Sequence, residues 1–361
     1  MTTQPANTPT PTPPTHRSSP VLTALAALAL VGVTAGAIYY TVRGTGHPGP
    51  QGSPQSKPGG PLSRDDLDKI LAGAAELYKR GEAPAAEAVL TDAIHNNPEH
   101  QDLYIMLAQV MTGRDNSAAY GHWERAIERA QAAGQTGKEL AAVHYQAGNL
   151  AMILARLDRA EEHYAQAQGL DKTDPDYPQA LAQVYKKQSK WPEAAAQVTL
   201  SVTLAPDRAK GWADLAEIEL QRRGGSPALA AQHATKARAL EPTRTPWRLI
   251  EARALNRGGK PADALAVLGG VSEAERYQLP VLRLMGESYG LLSRPEDAAE
   301  LFARASDAVP QDPEIAFDAA VWAERAKQPA PAARFASRAA ALGHPAGKAM
   351  HERLTAHADE R

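Results

Sequence analysis

The feature that most constrains this chain is an alanine that returns at nearly fixed spacing through most of its length. Ala86, Ala119, Ala160, Ala194, Ala230, Ala264, Ala298 and Ala332 are separated by 33, 41, 34, 36, 34, 34 and 34 residues. A period near 34 residues marks an array of one repeated helical unit. Such an array folds by stacking neighbours, because a single unit cannot bury its apolar face alone. Alanine is abundant here, so the register needs independent support. Four residues after the marker stands a bulkier or apolar side chain in most units: Leu90, Trp123, Tyr164, Val198, Leu268 and Phe302, with Ala234 and Ala336 as exceptions. Seven residues after it stands a small one: Ala93, Ala126, Ala167, Ser201, Ala237, Ala305 and Ala339, with Val271 in the sixth unit.

Proline supplies a third check. Pro84, Pro192, Pro227, Pro261, Pro295 and Pro329 fall two or three residues before the marker. That suits a first helical turn, where the missing N–H costs nothing. Pro98, Pro206, Pro242 and Pro310 fall twelve after it, where a helix should stop. Each unit is therefore predicted as a helix, a tight turn, a proline-started helix and a proline-stopped end.

On these residues the chain resembles the tetratricopeptide repeat (TPR) family, whose pattern has small residues at positions 8, 20 and 27, a bulky one at 24 and proline at 32. Position 8 is here Ala74, Ala108, Gly148, Ala182, Ala216, Ala252, Gly286 and Ala320, and bulky residues at position 4 include Ile70, Tyr104, Trp212 and Leu282. The second unit is irregular and runs into the loop Gly134-Gln135-Thr136-Gly137; the sixth and eighth are degenerate. The resemblance implies an all-α fold, a right-handed α-solenoid of about eight helix pairs over 62–345. Residues 346–361 form a capping helix and tail, with Met350 and Leu354 turned inward at i, i+4.

The amino-terminal part reads differently. Residues 1–19 are Pro/Thr-rich without apolar periodicity, the composition of a disordered leader. Within 20–43, Val21 to Val42 carries no charge; as a helix those 22 residues would reach roughly 33 Å, enough for a bilayer core. Arg17 and Arg43 bracket it, and Tyr39 and Tyr40 stand where an interfacial aromatic belt falls. The expectation is a single transmembrane anchor. The alternative is a cleaved signal peptide ending at Ala35-Gly36-Ala37. Residues 44–61, dense in Gly and Pro, form a linker. The repeat domain is then expected on the extracytoplasmic side, periplasmic in a bacterium. Secretion after cleavage and a cytoplasmic-facing domain are the alternatives, since the flanking charges nearly tie.

Composition narrows the function. Lys and Arg number 39 against 41 Asp and Glu, a net charge of −2, without the positive field of a nucleic-acid binder. Cysteine is absent, which removes disulfides, zinc fingers, iron–sulfur clusters and a thiol nucleophile. The eleven histidines show no i, i+4 pair, so neither a metal nor a cofactor is expected. Gly286-Glu287-Ser288-Tyr289-Gly290 matches the G-x-S-x-G nucleophile elbow, preceded by an apolar stretch that would pass for a strand. Asp312 or Asp318 and then His344 follow in the hydrolase order. The elbow needs a parallel sheet, however, and the repeat register accounts for the same residues.

The resemblance also implies where a partner binds: the first helix of each unit lines a groove that holds a peptide or a partner helix. Carried onto this sequence, that face comprises Tyr145 and Asn149 in the third unit, Gln183, Lys186 and Lys187 in the fourth, Arg253, Asn256 and Arg257 in the sixth, and Arg283 in the seventh. Lys186, Lys187, Arg253, Arg257 and Arg283 would form a basic stretch fitted to an acidic segment or a carboxyl terminus. The same residues would serve equally as solvated helix faces. The expected function is a membrane-anchored scaffold, adaptor or assembly factor that binds another protein and catalyses nothing. The alternatives are a self-associating structural solenoid and, remotely, a serine hydrolase using Ser288.

Overall fold

The computed structural model describes residues 62–359, with side chains through Ala356. The leader, the apolar segment Val21 to Val42 and the linker lie outside the described residues. No helix among those described is long and apolar enough to cross a membrane.

Seventeen α-helices and no strand occur among the described residues. The chain divides into two compact bodies between Leu170 and Asp171. The first holds three helix pairs: α1 (Arg64–Lys79) with α2 (Ala83–Asn96), α3 (Gln101–Met111) with α4 (Asn116–Ala132), and α5 (Lys138–Ile153) with α6 (Leu157–Leu170). The second holds five: α7 (Asp176–Lys187) with α8 (Trp191–Leu204), α9 (Ala209–Gln221) with α10 (Pro227–Leu240), α11 (Thr245–Arg257) with α12 (Pro261–Leu268), α13 (Leu279–Leu291) with α14 (Pro295–Ala308), and α15 (Pro313–Arg325) with α16 (Pro329–Ala341). The helix α17 (Gly347–Asp359) packs on α16, with Met350 buried and Leu354 half-buried against the same cluster.

Packing explains the period. All eight marker alanines have no exposed surface, because each sits where the two helices of a pair approach most closely. A larger side chain there would force the backbones apart. The bulky positions fill the space so made: Leu90, Trp123, Tyr164, Val198, Leu268 and Phe302 are all buried. Where the filler is Tyr164 or Phe302, its partner in the first helix is glycine. A Cβ on Gly148 would lie 2.6 Å from Tyr164 Cε1, and one on Gly286 would lie 2.8 Å from Phe302 Cε2.

The turns follow one design. The residue five or six before each marker adopts positive φ: Gly81, Gly113, Ala155, Ser189, Gly224, Gly259, Ser293 and Lys327. This left-handed residue ends the first helix, and in most pairs a bond such as Glu82 N to Leu77 O (2.9 Å) closes the turn. At the other end, α2, α8, α10 and α14 stop two residues before Pro98, Pro206, Pro242 and Pro310. Those prolines are also anchors. Tyr104 Oη donates to the Pro98 carbonyl at 3.2 Å, and Trp212 Nε1 to that of Pro206 at 2.8 Å. A bulky residue at position 4 thus ties the second and the fifth units to the ones before.

The irregular units have local causes. The spacing of 41 arises from α4, 17 residues long, and from the loop 134–137, where Gly134 and Gly137 adopt φ 69 and 79. In the sixth unit α12 has only 8 residues, so Val271 fills the position-27 site from beyond the helix end, where it is buried.

Candidate partner-binding face

In the second body the first helices of successive pairs pack on one another, α9 on α11, α11 on α13 and α13 on α15. Their outward positions therefore share one face, and residues about one repeat apart become neighbours. This geometry decides what the expected basic stretch becomes.

Lys186, on α7, is not a free cation. Its Nζ donates to Asp214 Oδ1 at 2.8 Å and to Glu217 Oε2 at 3.0 Å, both on α9. Asp214 is almost wholly buried and also accepts from Gln179, from Gln183 at 3.2 Å and from Lys210 at 2.6 Å. Burial disfavours the charge on Asp214, but Lys210 and Lys186 outweigh it and lower its pKa. Burial likewise opposes the charge on Lys186, and Asp214 and Glu217 more than offset this, so its pKa rises. Gln183 and Lys186 are thus absorbed into a neutralised knot that holds α7 to α9. Lys187, next in sequence, is exposed and outside it.

Arg283, on α13, is spent in the same way. Its Nε donates to Asp318 Oδ2 at 2.7 Å and its Nη2 to Glu314 Oε2 at 2.9 Å, both on α15. Hydrogen bonding to Asp318 is the main reason its pKa rises. Arg257 donates to the Leu220 carbonyl at the end of α9, satisfying a terminal acceptor without losing its charge. Arg253 is exposed and joins no ion pair among the described residues.

Asn256 is corrected by its burial: it is 4% exposed and faces into the body. Its amide meets Ser288 Oγ at 2.9 Å, while Ser288 Oγ also lies 2.8 Å from the Leu284 carbonyl. Ser288 Oγ has one proton to give, and both the Asn256 Oδ1 and the Leu284 carbonyl stand ready to accept it. Ser288 is fully buried, and the whole G-x-S-x-G stretch lies inside α13. The expected strand before it is helix, and there is no strand-to-helix turn to raise a nucleophile. Among the described residues no group of three metal-ligating side chains occurs either.

In the first body, Tyr145 and Asn149 lie on α5. Asn149 Oδ1 accepts from Tyr164 Oη at 2.8 Å, and the Tyr145 and Tyr164 rings stand 5.7 Å apart. Both expected site residues thus buttress the α5–α6 pair while remaining half-buried.

The structure adds residues that sequence reasoning missed. Between α13 and α15 lies a concavity of about 440 Å³ lined by Gly290, Leu291, Val321 and Trp322 together with the charged Arg283, Glu287, Asp318 and Arg325. Leu291 is 53% exposed, the highest value among the exposed large apolar side chains. The Arg325 guanidinium lies 4.6 Å from the Trp322 ring centroid. Leu291 and Arg325 fall on position 13, Val321 on position 9 and Gly290 on position 12 of their repeats. That register was the available signal, but the degenerate eighth unit hid its half of the pocket.

No family model matches this chain, and no curated protein does. Solved structures match in part. A Pseudomonas aeruginosa PilF structure is 16% identical, covers 62% of this chain and 96% of its own, with a TM-score of 0.47. YrrB, described as a TPR protein with an unusual peptide-binding site, is 17% identical over 54% of this chain and 96% of its own, TM-score 0.45. A tetratricopeptide repeat protein from Parabacteroides merdae is 11% identical over 80% of this chain and 98% of its own, TM-score 0.43. At these values the fold and the site stand on the chain's own geometry.

Proposed function

We propose that this chain is a non-catalytic protein-binding scaffold. A membrane segment at Val21 to Val42 holds it, and the first-helix face of its second body grips a segment of another protein. One observation carries the binding role. In an array whose markers, fillers and most inner charges are consumed by packing, α13 and α15 leave Leu291, Val321 and Arg325 around an open concavity. Exposed apolar surface of that kind, rimmed by charge, is what a partner covers. A preformed face also spares the partner-binding step its ordering cost.

The test is affinity capture with the full-length chain as bait, beside a Leu291→Asp/Val321→Asp variant that melts like the wild type. A partner held by the first and lost by the second supports the role. Capture of an identical set moves binding to another face. Capture of nothing but the chain itself, with mass rising with concentration, replaces the scaffold by self-assembly. Carbonate extraction of membranes, with and without residues 20–43, tests the anchor.

A further inference from the structure

We propose that the second body lays one edge on an anionic lipid surface, through the turns that join α7 to α8, α9 to α10 and α11 to α12. This rests on the membrane segment proposed above, which would keep the body close to headgroups.

The topology gathers these turns. Each of α7, α9 and α11 is followed by an antiparallel partner, so the three run the same way and end at one edge. Contacts join neighbouring turns there. Lys186 near the end of α7 reaches Glu217 on α9 at 3.0 Å, and the Arg257 guanidinium at the end of α11 donates to the Leu220 carbonyl at the end of α9. The α11–α12 turn also stands against the start of α10: a Cβ on Gly258 would lie 3.7 Å from Pro227 Cβ.

Charge selects the surface. From the last residue of each first helix to the first turn of the second, the edge carries Lys187, Lys190, Arg223, Arg257 and Lys260, all exposed, against the carboxylates of Glu193 and Asp263. Arg222, beside them, is taken by Glu219 at 2.9 Å, and Lys190 leans over the Tyr185 ring at 5.5 Å. Lys187, Arg223 and Lys260 join no ion pair among the described residues. The opposite ends of the same pairs have the other sign. There Asp174, Asp207, Glu273 and Glu275 outnumber Lys172 and Arg276, while Arg208 is taken by Asp176 and Arg244 by Glu241. A chain of net charge −2 thus separates its signs across this body.

The cations are interleaved with apolar side chains. Leu229, in the first turn of α10, is 37% exposed, and Trp191 opens α8 half-buried beside Lys190. A nucleic-acid backbone would satisfy the cations and leave Leu229 in water. The boundary between headgroups and acyl chains takes both, since Lys and Arg stems lie along apolar surface with their charge outward. Each cation near an anionic leaflet strengthens binding about fivefold, so a surplus of three is worth about a hundredfold.

The experiment uses the absence of cysteine, so that one introduced at Ala262 or at Ala274 carries a single fluorophore. Both positions are exposed and they flank α12, Ala262 in its first turn at the basic edge and Ala274 in the link to α13 at the other. The full-length chain is reconstituted into vesicles of phosphatidylcholine with about 30% phosphatidylglycerol, with a nitroxide quencher on part of the choline headgroups. The label at Ala262→Cys should lose about half its emission or more, and the label at Ala274→Cys little. The loss should vanish in vesicles without phosphatidylglycerol, in about 0.5 M salt, and in the variant Lys187→Glu/Arg223→Glu/Lys260→Glu, which should melt like the wild type because none of the three is paired. Equal quenching of both labels, quenching of neither, or quenching that the triple variant keeps overturns the proposal. If carbonate strips the chain from the vesicles, the membrane segment fails and the edge is read by flotation of the full-length chain. A triple variant bound at least about a hundredfold more weakly then upholds the edge, and one bound equally overturns it. RNA shifted by the wild type and not by the triple variant, with vesicles left unbound, overturns the lipid surface in favour of nucleic acid.

Discussion

Acidification should weaken the first body through one buried histidine. His144, on α5, is 4% exposed, and its Nδ1 faces His163 Nδ1 at 3.2 Å; His163 Nε2 meets Tyr120 Oη at 3.0 Å. Only one proton fits between two facing Nδ1 atoms, so both rings cannot be protonated in place. His144 Nε2 is buried without a partner, so a second proton there has nothing to stabilise it. Burial first, and His163 second, hold the His144 pKa down to about 4, and burial lowers that of His163 as well. The folded pKa lies below the unfolded value near 6.5, so the unfolded chain binds more protons in the window between them. Stability contributed by neutral His144 is therefore complete above about pH 6.5 and is lost as pH falls toward 4. Between pH 7.5 and pH 5 the linkage relation gives a loss of about 2 kcal/mol from His144, and His163 adds to it with the same sign.

The assay is urea denaturation, followed by far-UV circular dichroism at both pH values, of wild type and a His144→Gln variant. Repeat arrays unfold in parts, so the difference between variants isolates the contribution of this cluster. The variant should lose about 2 kcal/mol less than wild type on going to pH 5. Parallel losses, or an imidazole resonance of His144 that titrates near 6.5, would refute the reasoning.

Three further outcomes follow from packing and backbone geometry. Gly286→Ala places a methyl 2.8 Å from Phe302 Cε2 and 2.9 Å from Trp322 Nε1, and should cost about 1–3 kcal/mol in thermal denaturation; a neutral variant would mean the helices separate freely. Lys327, at φ 57, occupies a turn position that glycine fills in four other pairs, so Lys327→Gly should stabilise by about 1 kcal/mol, and a loss would contradict the left-handed turn. Asp214→Asn leaves Lys186, whose side chain is 19% exposed, with Glu217 as its one remaining carboxylate, and should cost about 1–3 kcal/mol; adding Lys186→Met should recover part of it, and a single variant as stable as wild type would sink the knot.

The helix pairs were legible because packing writes itself into sequence at fixed intervals. An alanine buried between two helices tolerates no substitute, and proline marks the first turn and the stop. Turn residues were less legible. Ala155, Ser189, Ser293 and Lys327 take the left-handed conformation without being glycine, because the surrounding helix ends dictate it. The sixth unit looked degenerate because α12 stops early and Val271 occupies the position-27 site from outside the helix. The binding face was the least legible. Nothing in the local sequence of Asn256 distinguishes a groove amide from a buried one, and only Ser288, 32 residues away, turns it inward.

The charges show why. In a stacked array a side chain's nearest foreign neighbour lies about one period along the chain: Lys186 meets Asp214 at a separation of 28, and Arg283 meets Glu314 and Asp318 at 31 and 35. Cations counted along the sequence therefore say little about the field a ligand meets, because their partners are a repeat away. Read by rows, the position-13 series runs Lys187, Gln221, Arg257, Leu291 and Arg325. Leu291 stands between two arginines, and no carboxylate in that row quenches either. Position 9 runs Gln183, Glu217, Arg253, Glu287 and Val321, so the carboxylates of this row stand on α9 and α13 and its member on α15 is apolar. The two rows run side by side through the concavity, where Leu291 and Val321 lie among Arg283, Glu287, Asp318 and Arg325. Arg325 joins no ion pair among the described residues, yet Glu287 of the neighbouring row lies on the same concavity, so the charge a ligand meets there is set by both rows together and not by the cations of one.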